Sequence, residues 1–387
     1  MQSFFSYAFR PFFLLNSIFA ITVMVLWALA LHGAAPASLP ANVTNWHAHE
    51  MLIGFAMAAI AGFILTAVAT WTGRPALQGA PLGVLVFSWL AGRLVMALGG
   101  ILPAGLVFVV DMLFPALLVI LVAREVIAGG SKRNYPIVFI TLLLASLNFL
   151  YHAGGNGYLP LTVNSERVSL FLLIHLVLLL ITVIGGRIIP NFTANWLRGQ
   201  GATRLPASSP FIDRATILLT IATGLFVSFS PLSVVTGVLA FAAALAHGIR
   251  LSAWCGLATR KEPLLFVLHA AYLWLPLGYL LTGCAVFGWW IPPAAAVHAL
   301  TVGGVSMMIM AVTTRVALAH TGRPLLAAEL TVLAYWALML AAVLRVVSPF
   351  GRNYMTILDA SIICWILAFA IFGWVYAPVL TKPRVDE

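Results

Sequence analysis

Apolar runs of about 20 residues, long enough to carry a helix through the hydrocarbon layer of a bilayer, recur along this chain from one end to the other. Each reads as a transmembrane helix, and there are twelve. They extend over Leu14–Leu31, Trp46–Thr70, Pro81–Leu98, Ala104–Ile127, Ile137–His152, Val168–Ile188, Ala215–Phe229, Leu232–Ile249, Leu264–Phe287, Ala294–Ala319, Leu326–Val347 and Thr356–Val379. The residues are 63% hydrophobic and only 8% charged, more apolar surface than a soluble core of this size would hide. The expected fold is an all-α integral membrane protein with twelve transmembrane helices, forming a single transmembrane domain over residues 1–387. Phe4, Arg10 and Pro11 lead into the first run without a small-residue cleavage pattern, so that run is expected to stay in the protein.

A net charge of +10 would suit nucleic acid, but the placement of the charge points to the lipid bilayer as partner and to no nucleic acid. Arg10, Arg74, Arg124, Lys132, Arg133, Arg187, Arg198, Arg204, Arg214, Arg250, Arg260, Lys261, Arg315, Arg323, Lys382 and Arg384 belong to the termini and one set of loops, whereas the opposite loops hold Arg167 and Arg352. The positive-inside rule then puts both termini in the cytoplasm. Cys255, Cys284 and Cys364 lie far apart and form no CxxC pair, which indicates neither a disulfide frame nor a thiolate metal site.

An internal repeat marks the helices of interest. "HEMLIGFAMAAIAGFILTAVATWTGRP" from His49 aligns without a gap on "HALTVGGVSMMIMAVTTRVALAHTGRP" from His298, matching His49 with His298 and Gly54 with Gly303. Arg93 and Arg345, then Asp111 and Asp359, follow in the same order. Helices 2–4 and 10–12 therefore read as related units, approximately 46–127 and 294–379, running parallel through the membrane. Gly54, Ala58 and Gly62 form a stripe of small residues suited to close helix packing, and each Thr-Gly-Arg-Pro reads as a helix stop.

A lone ion inside lipid is costly, so Arg93 is expected to pair with Asp111 and Arg345 with Asp359. A functional alternative has the two guanidinium groups hold a cofactor carboxylate. Seven histidines fall into two layers, one with His47, His49, His298 and His152, the other with His247, His269 and His320, while His175 sits in mid-span and His32 reads as an interfacial loop residue. Neutral imidazole ligates haem iron and copper. His49 and His298, at equal depth on matched helices, are the expected haem ligands. His47 and Glu50 beside them read as supporting or copper-site groups, and His269 with His320 as a separate copper site. Met307, Met308 and Met310 read as flexible core filling.

Five motifs in order, "FRPFF" at Phe9–Phe13, "WHAHEM" at Trp46–Met51, "GGRIIPNFT" at Gly185–Thr193, "LHAAYLWLPLG" at Leu268–Gly278 and "RVALAHTGRPL" at Arg315–Leu325, resemble the NnrS family of bacterial membrane proteins. The resemblance implies a haem- and copper-containing protein of the cytoplasmic (inner) membrane, acting in nitric oxide metabolism or resistance to nitrosative stress. Its partner would be nitric oxide or a related small molecule; no electron donor follows from it. The rival reading is a secondary transporter built on the repeat and the buried charges. A respiratory haem-copper oxidase subunit is disfavoured, because the chain has no adjacent His-His pair.

Overall fold

The computed structural model describes residues 3–155, 157 and 164–385. Among them, twelve helices are long and apolar enough to cross a membrane. They are α1 (Phe9–Leu31), α2 (Val43–Thr72), α3 (Gly79–Ala97), α4 (Ala104–Ala128), α5 (Lys132–Gly155) and α6 (Ser165–Gly199). The second half holds α7 (Pro210–Phe229), α8 (Val234–Ser252), α9 (Pro263–Val286), α10 (Pro293–Ala319), α11 (Glu329–Phe350) and α12 (Tyr354–Thr381). The protein is an all-helical, multi-pass membrane protein. Its outer face is the reverse of a soluble protein's: Phe87, Leu94, Ile120, Leu218, Leu245 and Trp374 are exposed, while Asp111, His49 and His247 are fully buried. Lipid is the medium in which that distribution is stable.

Helix ends follow local chemistry. Asn42 Oδ1 accepts Asn45 N–H at 3.1 Å at the start of α2, and Ser209 caps α7 ahead of Pro210. Such caps satisfy backbone donors that the first turn leaves open. Both Thr-Gly-Arg-Pro motifs end their helices on a glycine at positive φ, 67° at Gly73 and 71° at Gly322. Pro75 and Pro324 then prevent continuation. The largest departure from the sequence reading is α6, which runs 35 residues and so passes well beyond Ile188. At about 1.5 Å per residue it is longer than the ~30 Å hydrocarbon layer. Its extension is amphipathic, burying Ile189, Thr193, Ala194 and Leu197 along one face, a pattern that sustains a helix outside lipid.

Among the described residues, three spans contain a π-helical segment. Glu50–Ala56 in α2, Ile181–Gly185 in α6 and Ala299–Ser306 in α10 are π-helical. The first and third occupy the same register of the repeat, around Gly54 and Gly303. In each, a side chain claims a backbone carbonyl: Trp89 Nε1 donates to Gly54 O at 2.9 Å, Arg250 Nη1 to Thr182 O at 2.7 Å and Ser306 Oγ to Thr301 O at 3.2 Å. A wide turn exposes carbonyls that a regular α-helix would keep for itself, which is one reason such turns gather at functional sites.

By its contacts the chain forms two compact units. The first comprises the chain through Leu173, Val316–Pro324 and the chain from Phe372. Here α1 packs on the small-residue stripe of α2: a Cβ at Gly54 would sit 2.5 Å from the Phe19 ring, and one at Gly62 would sit 2.8 Å from Phe13. Arg10, which the charge pattern assigns to the cytoplasmic surface, is instead 2% exposed. Its Nη1 donates to Leu380 O at 3.1 Å and Lys382 O at 2.6 Å, capping the last helix where carbonyls lack partners. Arg10→Ala is therefore expected to lower the thermal unfolding midpoint in detergent, since bonds to a charged donor contribute about 1.5–3 kcal/mol each. An unchanged midpoint would show that α12 ends without this cap.

The second unit comprises Ile174–Arg315 and Leu325–Ile371. In it α9 and α10 approach closely, and a Cβ at Gly303 would sit 2.3 Å from the Trp274 indole. Met307, Met308 and Met310 are all buried.

Candidate functional site

The first unit encloses a cluster of charged and polar side chains inside the membrane span. His49 and Glu50 stand where α2 passes into its π segment, Arg93 comes from α3, Asp111 from α4, and Asn148 and His152 from α5. Asn148 and His152 are four residues apart and so share one helical face. Gly92 makes room for the aspartate, since a Cβ there would lie 3.0 Å from Asp111 Oδ1.

The Arg93 guanidinium bridges two carboxylates, Nη1 donating to Glu50 Oε1 and Nη2 to Asp111 Oδ1. His49 Nδ1 lies 2.9 Å from Glu50 Oε1, and its Nε2 lies 2.8 Å from Asn148 Oδ1 and 3.3 Å from Asp111 Oδ2. Asn148 Nδ2 donates to Asp111 Oδ2 at 2.8 Å, which turns its oxygen toward His49. His152 Nε2 reaches the same Asp111 oxygen at 2.9 Å. Tyr151 covers the His49 ring with centroids 4.6 Å apart. His49, Asp111 and Asn148 are 0% exposed, so no water screens these charges.

Charge balance constrains what this cluster holds. Two carboxylates face one guanidinium, and an uncompensated charge in a low-dielectric interior is strongly unfavourable. One further positive charge is needed. Both ring nitrogens of His49 face acceptors, so an imidazole carrying both protons supplies it. A cation bound in place of a proton does so equally. His49, Asp111 and His152 each offer one ligand atom, and these atoms lie within 4.8 Å of one another. Two imidazoles and a carboxylate suit copper, zinc or iron by donor type.

A porphyrin does not fit at His49 in this arrangement. The ring is wholly enclosed, with Tyr151 over one side, which leaves room for a single ion among the donors but not for a macrocycle. His298 is different: it is half-buried, and its Nδ1 donates to Ala294 O at 2.7 Å. That bond places the proton on Nδ1 and the lone pair on Nε2, the tautomer an axial haem ligand uses. His49 belongs to the first unit and His298 to the second.

The other expected residues are dispersed. His47 is half-buried and stacks on Trp27 at 4.3 Å, on a different side from His49. Arg93 and Asp111 meet, whereas Arg345 Nη1 donates to Ser348 Oγ at 3.2 Å near the end of its own helix; Asp359 is half-buried in the first turns of α12. His269, in the second unit, shares a hydrogen bond with Thr193 Oγ1 at 2.9 Å through Nε2, and its buried Nδ1 has no partner. His320, in the first unit just past the end of α10, packs on Phe9 at 5.7 Å. Burial, with Arg384 nearby, lowers its pKa. Residues the sequence reading underused are His152 and Asn148, whose spacing of four along α5 was the available signal, and Glu50, which takes a direct place on Arg93.

No curated protein matches the chain. A solved chain described as a haem-copper terminal oxidase dimer, determined by cryo-EM, is similar in fold, with a TM-score of 0.64 at 14% identity, covering 99% of this chain and 86% of that one. At that identity the likeness is one of architecture. The model of the NnrS protein family matches residues 3–384, nearly the whole chain including the motif-bearing helices and every residue of the buried cluster, and the protein belongs to that family.

Proposed function

We propose that this NnrS-family protein binds haem and copper in a bacterial cytoplasmic membrane, both termini inside, and acts on nitric oxide or a molecule derived from it. The observation that carries the reading is the buried His49–Asp111–His152 set, closed to water, whose carboxylates call for one positive charge beyond Arg93, met by a proton or by a metal ion in its place. Copper is the group assigned there, and His298 in the second unit is the candidate axial ligand for haem. Bound metal supplies one-electron redox chemistry and a coordination position for a small ligand. The chain's own residues do the rest. Arg93 and Glu50 set the local charge, Asn148 orients His49 through Asp111, and Tyr151 helps seal the site. Nitric oxide is small and apolar, so a site inside lipid is accessible to it without an aqueous channel.

The test is the detergent-purified protein, with metal analysis and with optical and paramagnetic spectra before and after reduction and addition of nitric oxide. Haem bands that shift with nitric oxide, together with stoichiometric copper, are the expected result. A protein free of both, purified from cells supplied with haem and copper, would leave the transporter reading in its place.

A further inference from the structure

The second unit contains a hydrogen-bonded tyrosine–histidine pair whose protons can be assigned from connectivity alone. Thr220 Oγ1 donates to Thr216 O at 2.8 Å along α7. Its proton is therefore spent, and it can only accept from His247 Nε2, which lies 3.1 Å away. Nε2 then carries the ring proton and Nδ1 the lone pair. Tyr272 OH is 2.8 Å from that Nδ1 and must be the donor. Arg250 Nη1 donates to the phenol oxygen at 3.3 Å, its Nε is held by Asp213 Oδ1 at 2.6 Å, and Gly186 gives the guanidinium room that a Cβ, 2.0 Å from Nη2, would remove. Each donor in the chain points one way, and the phenol proton is aimed at the ring nitrogen that carries the lone pair.

Aromatic rings continue from both ends of the pair. Trp254 lies 4.6 Å from Tyr272, Tyr279 stacks on His247 at 5.4 Å, and His175 follows Tyr279 at 6.2 Å between centroids. Tyr272, His247, Trp254 and Tyr279 are at most 1% exposed. The Tyr279 hydroxyl is directed at Thr220, so of the two tyrosines against His247 only Tyr272 has a ring nitrogen as its proton acceptor.

We propose that Tyr272 and His247 form a proton-coupled redox pair that passes one electron through the second unit. A phenol is hard to oxidise unless its proton leaves with the electron, because the phenol radical cation is a far stronger acid than an imidazolium, and an acceptor nitrogen already in hydrogen-bond contact takes that proton without a change of geometry. Here Tyr272 gives an electron to a nitrogen-oxide radical such as nitrogen dioxide, which becomes nitrite. The O–H bond breaks, its proton bonds to His247 Nδ1, and a neutral phenoxyl radical remains beside an imidazolium. Return of one electron, through Trp254 or Tyr279, reverses both transfers. Only the choice of oxidant rests on the nitric oxide reading; the pair itself does not involve the metal cluster.

The experiment exposes the full-length protein in lipid nanodiscs to nitrogen dioxide generated by pulse radiolysis and follows the phenoxyl radical by transient absorption and paramagnetic resonance. Wild type should form a radical with a solvent isotope effect on its appearance. Tyr272→Phe should lose it, Tyr279→Phe should keep it, and His247→Phe should slow its formation. Thr220→Val leaves the tyrosine in place but removes the acceptor that sets the imidazole tautomer, and should lower the yield. A radical equally strong in Tyr272→Phe, or untouched by Thr220→Val, overturns the proposal. So does its absence in wild type, whatever the metal spectra show.

Discussion

Arg93→Met should prevent accumulation of folded protein, and restoring charge balance should rescue it. The guanidinium sits between Glu50 and Asp111, all three at most 6% exposed. Removing one member of a buried ion pair costs about 3–5 kcal/mol in soluble proteins, and here one removal strands two carboxylates. That is comparable with the whole stability of an ordinary domain, about 5–15 kcal/mol. With His49 carrying both protons the intact cluster is neutral, and Arg93→Met leaves it one charge negative. Adding either Glu50→Gln or Asp111→Asn returns the sum to zero. Both double variants should therefore give more monodisperse protein and a higher unfolding midpoint than Arg93→Met alone. Should the doubles prove no better than the single, the charge account of this cluster is wrong.

His152→Ala should remove copper from the first unit while leaving haem. The three donors come from three helices, so loss of one ring leaves a two-atom site without a template. Affinity should fall by more than the roughly 10–100-fold that loss of an outer-shell partner costs. Asn148→Leu serves as the calibration: it touches His49 and Asp111 but is not a ligand, so its loss should lie within that range. Equilibrium dialysis against a copper(I) chelator, with haem measured optically on the same samples, separates the outcomes. Copper retained by His152→Ala but lost from His269→Ala would transfer the metal to the second unit.

The spans were legible because lipid imposes one requirement, about 20 apolar residues, that no tertiary contact can relax. The ends of α2 and α10 were legible for a similarly local reason, since Gly73 and Gly322 take a backbone conformation that favours glycine. Depth along a span brought Arg93 and Asp111 into consideration together, because a buried charge advertises its need for a partner. Depth could not say that Arg93 reaches Glu50 as well. That depends on how α2 is rotated against α3, and the π segment sets this rotation without leaving a plain pattern in composition. Asn148 and His152 were undervalued because one is uncharged and the other ends its span, where an interfacial histidine is unremarkable. Arg10 and Arg250 look like ordinary inner-loop charges, yet both are buried and hold backbone carbonyls. Hydropathy counts a guanidinium the same way wherever its hydrogen bonds go.

The π segments have a further consequence, in how the chain aims its ligands. A π turn contains one residue more than the α turn it replaces, so everything on one side of it is turned by about 100° relative to the other. In α2 that excess residue lies between His49 and the small-residue face at Ala58 and Gly62 that receives α1. Deleting one residue there would keep every member of the buried cluster outside the segment and would leave the packing face at Ala58 and Gly62 against α1. It would also swing His49 away from Asp111 and His152. The angular aim of the imidazole is thus set by residue count rather than residue type, and α10, with its own extra residue between His298 and Met307, is built on the same offset.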